Sequence, residues 1–118
     1  MSHEIFFHRL AAAVTARDLD HVAEWFTEDF RLHEPGFDIP DGHTGAEAML
    51  RTFLKLGPSV KVEAMDVIEA GDRAAVRWVF SGEREGEAVT IPCIAMYRFV
   101  GGRIAEDWGI TSTKGPWP

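Results

Sequence analysis

Apolar residues along the chain change from a helical to an alternating rhythm near its midpoint. From Glu4 to Ala16, Phe6, Phe7, Leu10, Ala13 and Val14 recur at helical spacing and leave Arg9 and Arg17 for the opposite side, which predicts a first helix. Asp18 is placed to cap a second, in which Leu19, Val22, Ala23 and Phe26 form the stripe before a turn at Thr27-Glu28-Asp29. A short strand from Phe30 to His33 should follow. After a loop containing Pro and Gly, Thr44-Gly45-Ala46-Glu47 reads as a capping box. Ala46, Met49, Leu50, Phe53 and Leu54 then give a third helix its buried stripe, and Gly57-Pro58 ends it.

The rest of the chain reads as an antiparallel meander of four strands near 60–70, 73–83, 87–100 and 103–113, divided by Gly71-Asp72, Glu85-Gly86 and Gly101-Gly102. Helices first and sheet second predict an α+β fold. Both faces of the sheet are apolar while only three helices are available to cover it, so the sheet must curve around an interior. Alternation assigns the faces: Val76, Trp78 and Phe80 share one with Cys93, Ala95, Tyr97 and Phe99, and we take this aromatic side as concave. Arg77, Val79, Ile94, Met96 and Arg98 fall outside. The last strand has two possible registers. A three-residue turn would bring Ala105, Asp107, Gly109 and Thr111 inward, whereas a two-residue turn would bring Glu106 and Trp108.

Composition narrows the picture. With 118 residues, 46% of them apolar, the chain can build one core, hence one domain over 1–118 and one site. No apolar stretch approaches the roughly 20 residues of a membrane span, and the net charge of -7 disfavours nucleic acid. A single cysteine, Cys93, points to a reducing, cytoplasmic setting. The outer face, with Val79, Ile94, Met96, Trp108 and Ile110 among Arg77, Arg98 and Glu106, is apolar enough to predict a homodimer.

Three stretches together carry a family likeness. Arg17-Asp18-Leu19-Asp20 followed by Trp25-Phe26-Thr27-Glu28-Asp29-Phe30-Arg31-Leu32-His33-Glu34-Pro35 resembles the amino-terminal half of ketosteroid isomerases and SnoaL-like polyketide cyclases. Gly42-His43-Thr44-Gly45-Ala46-Glu47-Ala48-Met49 resembles the opening of their third helix, and Tyr97 to Trp108 their closing hairpin. The resemblance implies the cone-shaped fold of nuclear transport factor 2, with three helices on a strongly curved antiparallel sheet enclosing one pocket. It also favours the register with Asp107 inside. Glu34, before Pro35, matches the place of the isomerases' proton-shuttling carboxylate. The positions matching their oxyanion-hole tyrosine and aspartate are Leu10 and Ala95, whose side chains donate no hydrogen bond.

Abstracting a proton beside a carbonyl needs a desolvated carboxylate and donors for the developing oxyanion. Glu34 and Asp107 are the candidate acid/base groups. Tyr97 and Trp78 are candidate donors, and Phe80, Cys93, Ala95, Phe99, Leu10 and Phe53 candidate walls, with His43 at the mouth. Cys93 has no evident base beside it and reads as a small buried hydrophobe. His33 should turn away from Glu34, and His3, His8 and His21 should face solvent. No histidine pair has metal-site spacing. The expected partner is a small apolar molecule, without cofactor, transformed by an isomerase or cyclase or simply bound. Epoxide hydrolysis needs an inward arginine, and both Arg77 and Arg98 are expected outside.

Overall fold

The computed structural model describes residues 2–118. Helix α1 (His3–Thr15) starts where the Ser2 hydroxyl accepts the Glu4 amide at 3.1 Å, and it buries Phe7, Leu10, Ala11 and Val14. Helix α2 (Val22–Trp25) is one turn, shorter than the pattern predicts. Asp18 does not cap it: its carboxylate accepts the Asp20 amide at 3.3 Å, a local turn that competes with helix. Strand β1 (Phe26–His33) therefore begins four residues ahead of Phe30. Helix α3 (His43–Leu54) also departs from expectation at its start, because Gly42 holds the cap position and the capping box does not form. Thr44 and Glu47 lie inside the helix, and Glu47 instead accepts from Arg51 at 2.8 Å.

Strands β2 (Lys61–Ala70), β3 (Arg73–Arg84), β4 (Glu87–Val100) and β5 (Arg103–Thr111) fall where alternation places them. The sheet runs β1-β5-β4-β3-β2, antiparallel except that β1 joins β5 in parallel, with Leu32 opposite Asp107 and His33 opposite Trp108. Helix α1 packs against β2 and α3 against β1, which closes the concave face over a core centred on Phe7, Phe26, Phe30, Val76 and Ile104. This is the cone-shaped α+β architecture.

The closing hairpin settles the register by a route that neither expectation contained. Gly101 and Gly102 form a two-residue turn, both with positive φ (58° and 78°), between paired Val100 and Arg103. A bulge follows: Phe99 opposes Ile104, but Arg98 opposes Glu106, so Ala105 is an extra residue. Ile104 and Ala105 are both buried, and the bulge reverses the alternation, bringing Asp107 and Gly109 inside and Glu106 and Trp108 outside.

On the convex side Ile94, Met96 and Ile110 are about half exposed. Arg77 pairs with Asp66 at 2.6 Å and Arg98 with Glu106 at 2.8 Å, so neither arginine reaches the interior. Among the described residues no helix is long and apolar enough to cross a membrane.

Candidate active site

A cavity of about 40 Å³ lies between the concave sheet and helices α1 and α3. Leu10 enters from α1, Met49 and Phe53 from α3, Trp78 and Phe80 from β3, and Cys93, Ala95 and Tyr97 from β4. Its charged groups are Glu34 and Asp107; no lysine, arginine or histidine lines it. The volume suits a small functional group, not a fused ring system.

Glu34 stands just past the end of β1, where the inward alternation of Phe30 and Leu32 continues toward the cavity. Asp107 projects from β5 and is 5% exposed. The two carboxyls converge over Gly109: a Cβ at that position would lie 2.6 Å from Glu34 Oε1 and 3.4 Å from Asp107 Oδ1. Those two oxygens are therefore no farther apart than the sum of the two lengths.

Burial dominates their chemistry. Desolvation, helped by the negative charge of Glu34, pushes the Asp107 carboxyl up to about 8, so at neutral pH it is mostly the protonated acid. Its Oδ1 has no hydrogen-bond partner. Glu34 is half-buried and is also raised by desolvation, while the nearby Thr111 hydroxyl tempers the rise without making a hydrogen bond of good geometry. Of the two carboxyls, Glu34 is the better placed to be ionised and Asp107 to hold a proton.

Tyr97 lies opposite Asp107 across the β4–β5 ladder. Desolvation, reinforced by Asp107, holds its hydroxyl well above the usual phenol range, so it stays protonated. The Trp78 indole N–H donates to the Tyr97 oxygen at 2.8 Å. This changes the role expected of Trp78: its single donor is already engaged, and it orients Tyr97 rather than meeting a ligand oxygen. With its oxygen accepting from the indole, Tyr97 keeps its own hydrogen to donate.

Leu10, Phe53, Phe80, Cys93 and Ala95 line the cavity as expected from their faces. Desolvation pushes the Cys93 thiol up to about 12, leaving it an unreactive wall. Two expected lining residues lie elsewhere. Phe99 packs at the closed end against Phe6, Phe7 and the ring of His3, at centroid distances of 5.1, 5.7 and 4.1 Å. His3 is thus stacked on the core edge and only partly exposed, with its Nε2 2.9 Å from the Gly71 carbonyl oxygen. His43 is held by a 2.9 Å hydrogen bond between its Nε2 and the Phe26 carbonyl oxygen and does not reach the mouth. His33 turns outward as alternation requires, with Nε2 2.8 Å from Glu106. Ala11, Val14, Phe26, Leu50, Val62 and Ile104 complete the wall. Their apolar character signals burial but cannot separate cavity from core. Among the described residues no three potential metal ligands cluster.

A curved sheet closed by three helices is the ketosteroid isomerase-like fold of the nuclear transport factor 2-like superfamily. The sequence profile of the SnoaL-like domain matches residues 7–107, and the chain belongs to that family. It is similar to IdmH of Streptomyces antibioticus, a candidate polyketide cyclase, at 26% identity over 87% of this chain and 86% of that one, with a TM-score of 0.71. A loop-truncation variant of IdmH gives 25% identity, 94% and 93% coverage and a TM-score of 0.80. A hypothetical protein of Catenulispora acidiphila with a ketosteroid isomerase-like fold, in complex with trimethylamine, shares the fold at 20% identity, covering 92% and 85%, with a TM-score of 0.74. No curated protein matches the sequence significantly.

Proposed function

We propose that this chain is a cofactor-independent isomerase or cyclase-type enzyme that moves a proton on a small apolar carbonyl or polycyclic substrate. One observation carries the reading: two carboxyls meet in one apolar cavity, raised to different extents, beside a tyrosine whose hydroxyl is oriented from behind. Groups whose surroundings set their proton affinities apart divide into base and acid. The Glu34 carboxylate takes the proton from carbon next to the carbonyl. Tyr97 and protonated Asp107 donate hydrogen bonds to the enolate oxygen that develops, in surroundings where such bonds are stronger than in water. Glu34 then returns its proton at another carbon, or the carbanion closes on a second carbonyl, whose π electrons pass to its oxygen and whose oxygen takes the proton from Glu34. A substrate larger than one functional group enters by displacing Phe53, which is half-buried on the last turn of α3 and stacked on Phe80 at 4.1 Å.

Deuterium exchange at the acidic carbon of a bound ketone tests this. Exchange should rise with pH as Glu34 ionises and fall near pH 8 as Asp107 loses its proton. Glu34→Gln should slow it by roughly 10²–10⁴ with binding retained, and Asp107→Asn should remove the alkaline fall. Exchange untouched by both, with ligand still bound, makes the cavity that of a binding protein, a role that the non-donating Leu10 and Ala95 would suit.

We further infer that two copies pair through the convex face, where Ile94, Met96 and Ile110 are 50%, 47% and 56% exposed. The reducing, cytoplasmic setting expected from one cysteine suits a chain in which that cysteine is buried. Light scattering at micromolar concentration should give twice the 13.2 kDa chain mass, and a monomer there rules the pairing out.

A further inference from the structure

We propose that Gly109 is the positioning residue of this site: its missing side chain is the space in which the Glu34 carboxylate lies, and it holds that carboxylate against Asp107. The proposal rests on the reading of Glu34 and Asp107 as a working pair and adds what brings them together. They come from the two adjacent strands of one parallel pair, two positions apart in register, and a glutamate just past the end of β1 has several rotamers open to it. Gly109 sits within β5, two residues before its end, without positive φ, so its backbone does not need glycine. Space does. An added Cβ would stand 2.6 Å from Glu34 Oε1, closer than such contacts occur, but only 3.4 Å from Asp107 Oδ1 and 3.6 Å from the Ala95 methyl, which are ordinary contacts. The sole obstacle is the tip of a flexible side chain. Alanine at this position therefore folds, and it evicts Glu34 while leaving Asp107 in place.

The groups facing the pair are Tyr97 and Cys93 from β4 and Thr111 from β5, with apolar Leu10 and Met49 from the helices above. None is cationic, so Glu34 is the one charge whose withdrawal changes the surroundings of Asp107. The test is the titration of the Asp107 carboxyl, followed by carbon-detected NMR without substrate in the parent, Gly109→Ala, Glu34→Gln and the double variant. Gly109→Ala should lower the Asp107 midpoint by about half a pH unit or more, as expected when a nearby like charge withdraws. In the Glu34→Gln background the same substitution should leave it unchanged, because no charge remains to displace. An unchanged midpoint in Gly109→Ala, or an equal fall in both backgrounds, overturns the proposal. Activity plays no part in the measurement. A protein that exchanges no ketone proton but shows this coupling keeps the positioning role and loses the catalytic reading.

Discussion

Glu106 and Asp107 are neighbours on β5 with the same functional group, yet the two faces of the sheet treat them in opposite ways. Outside, Glu106 accepts from Arg98 Nε and bonds His33 Nε2, both at 2.8 Å, and these partners hold its carboxyl below the usual range. Inside, Asp107 has an oxygen without a partner and is pushed up to about 8. One acid is bound into a surface network, and the other stores a proton at the expense of stability. Buried polar groups left unpaired cost folding energy and are therefore markers of function. Which of the two faces inward is set by the pairing beyond the bulge, where Ala105 is taken up as an extra residue and Glu106 lands opposite Arg98.

The largest effect should come from removing that residue. Deleting Ala105 closes the bulge but leaves Ile104 opposite Phe99, Glu106 opposite Arg98 and Asp107 opposite Tyr97, so Asp107 should stay inside with its titration still raised, while loss of the buried alanine and of the bend in the strand lowers the unfolding midpoint. A deletion variant in which Asp107 titrates as an ordinary exposed carboxylate would show that the register had slipped and that the pairing does not fix the face.

Next in size is the pH dependence of stability. The unfolded chain releases the Asp107 proton near 3.8, whereas the folded chain keeps it to about 8. Between those values the folded state binds the extra proton, so raising pH costs stability: the penalty is absent below 3.8, grows across the window and is complete near 8. At neutral pH it is on the order of 4 kcal/mol. Asp107→Asn should therefore unfold at higher denaturant than the parent at pH 7, with a flatter profile from pH 5 to 8; equal midpoints at every pH would mean a hydrated, ordinary carboxylate. The smallest effect belongs to Glu106→Gln. Its lowered carboxyl stabilises the fold only above the ordinary glutamate range and loses that contribution as pH falls. The same unfolding series should show a slight loss at neutral pH that fades in acid and in salt, and a loss exceeding the Asp107→Asn gain would invert the comparison.

The four meander strands were legible because a half-buried strand writes a period of two that few local effects obscure. The inward Glu34, Tyr97 and Asp107 followed from that period together with the family likeness. The register of β5 was not readable from pattern alone, because Ile104 and Ala105 are both apolar and either can face inward. Asp18 and Thr44 failed as caps for a related reason: short polar side chains have several backbone groups within reach, and tertiary placement of Phe26 and of Gly42 chose among them. The Trp78–Tyr97 bond joins residues that are not register partners, and only long side chains leaning along their strands make it possible. Phe99 shares the inner face but lies beyond the cavity, because alternation gives the side of a sheet and not the depth along it.

The parallel pairing of β1 with β5 fixes when the site comes into being. Seventy-three residue positions separate Glu34 from Asp107, and a ribosome adding roughly 5–20 residues per second needs about 4–15 seconds to cross that interval. Through that time β1 has no partner strand, and the helices beside it have only part of a sheet to cover. A nascent chain thus carries half of its chemistry on an unpaired edge, open to other chains, until its last strand arrives. The same late closure means that refolding must bring the two ends of the chain together before a cavity exists, so recovery of ligand binding after dilution from denaturant should trail the first collapse.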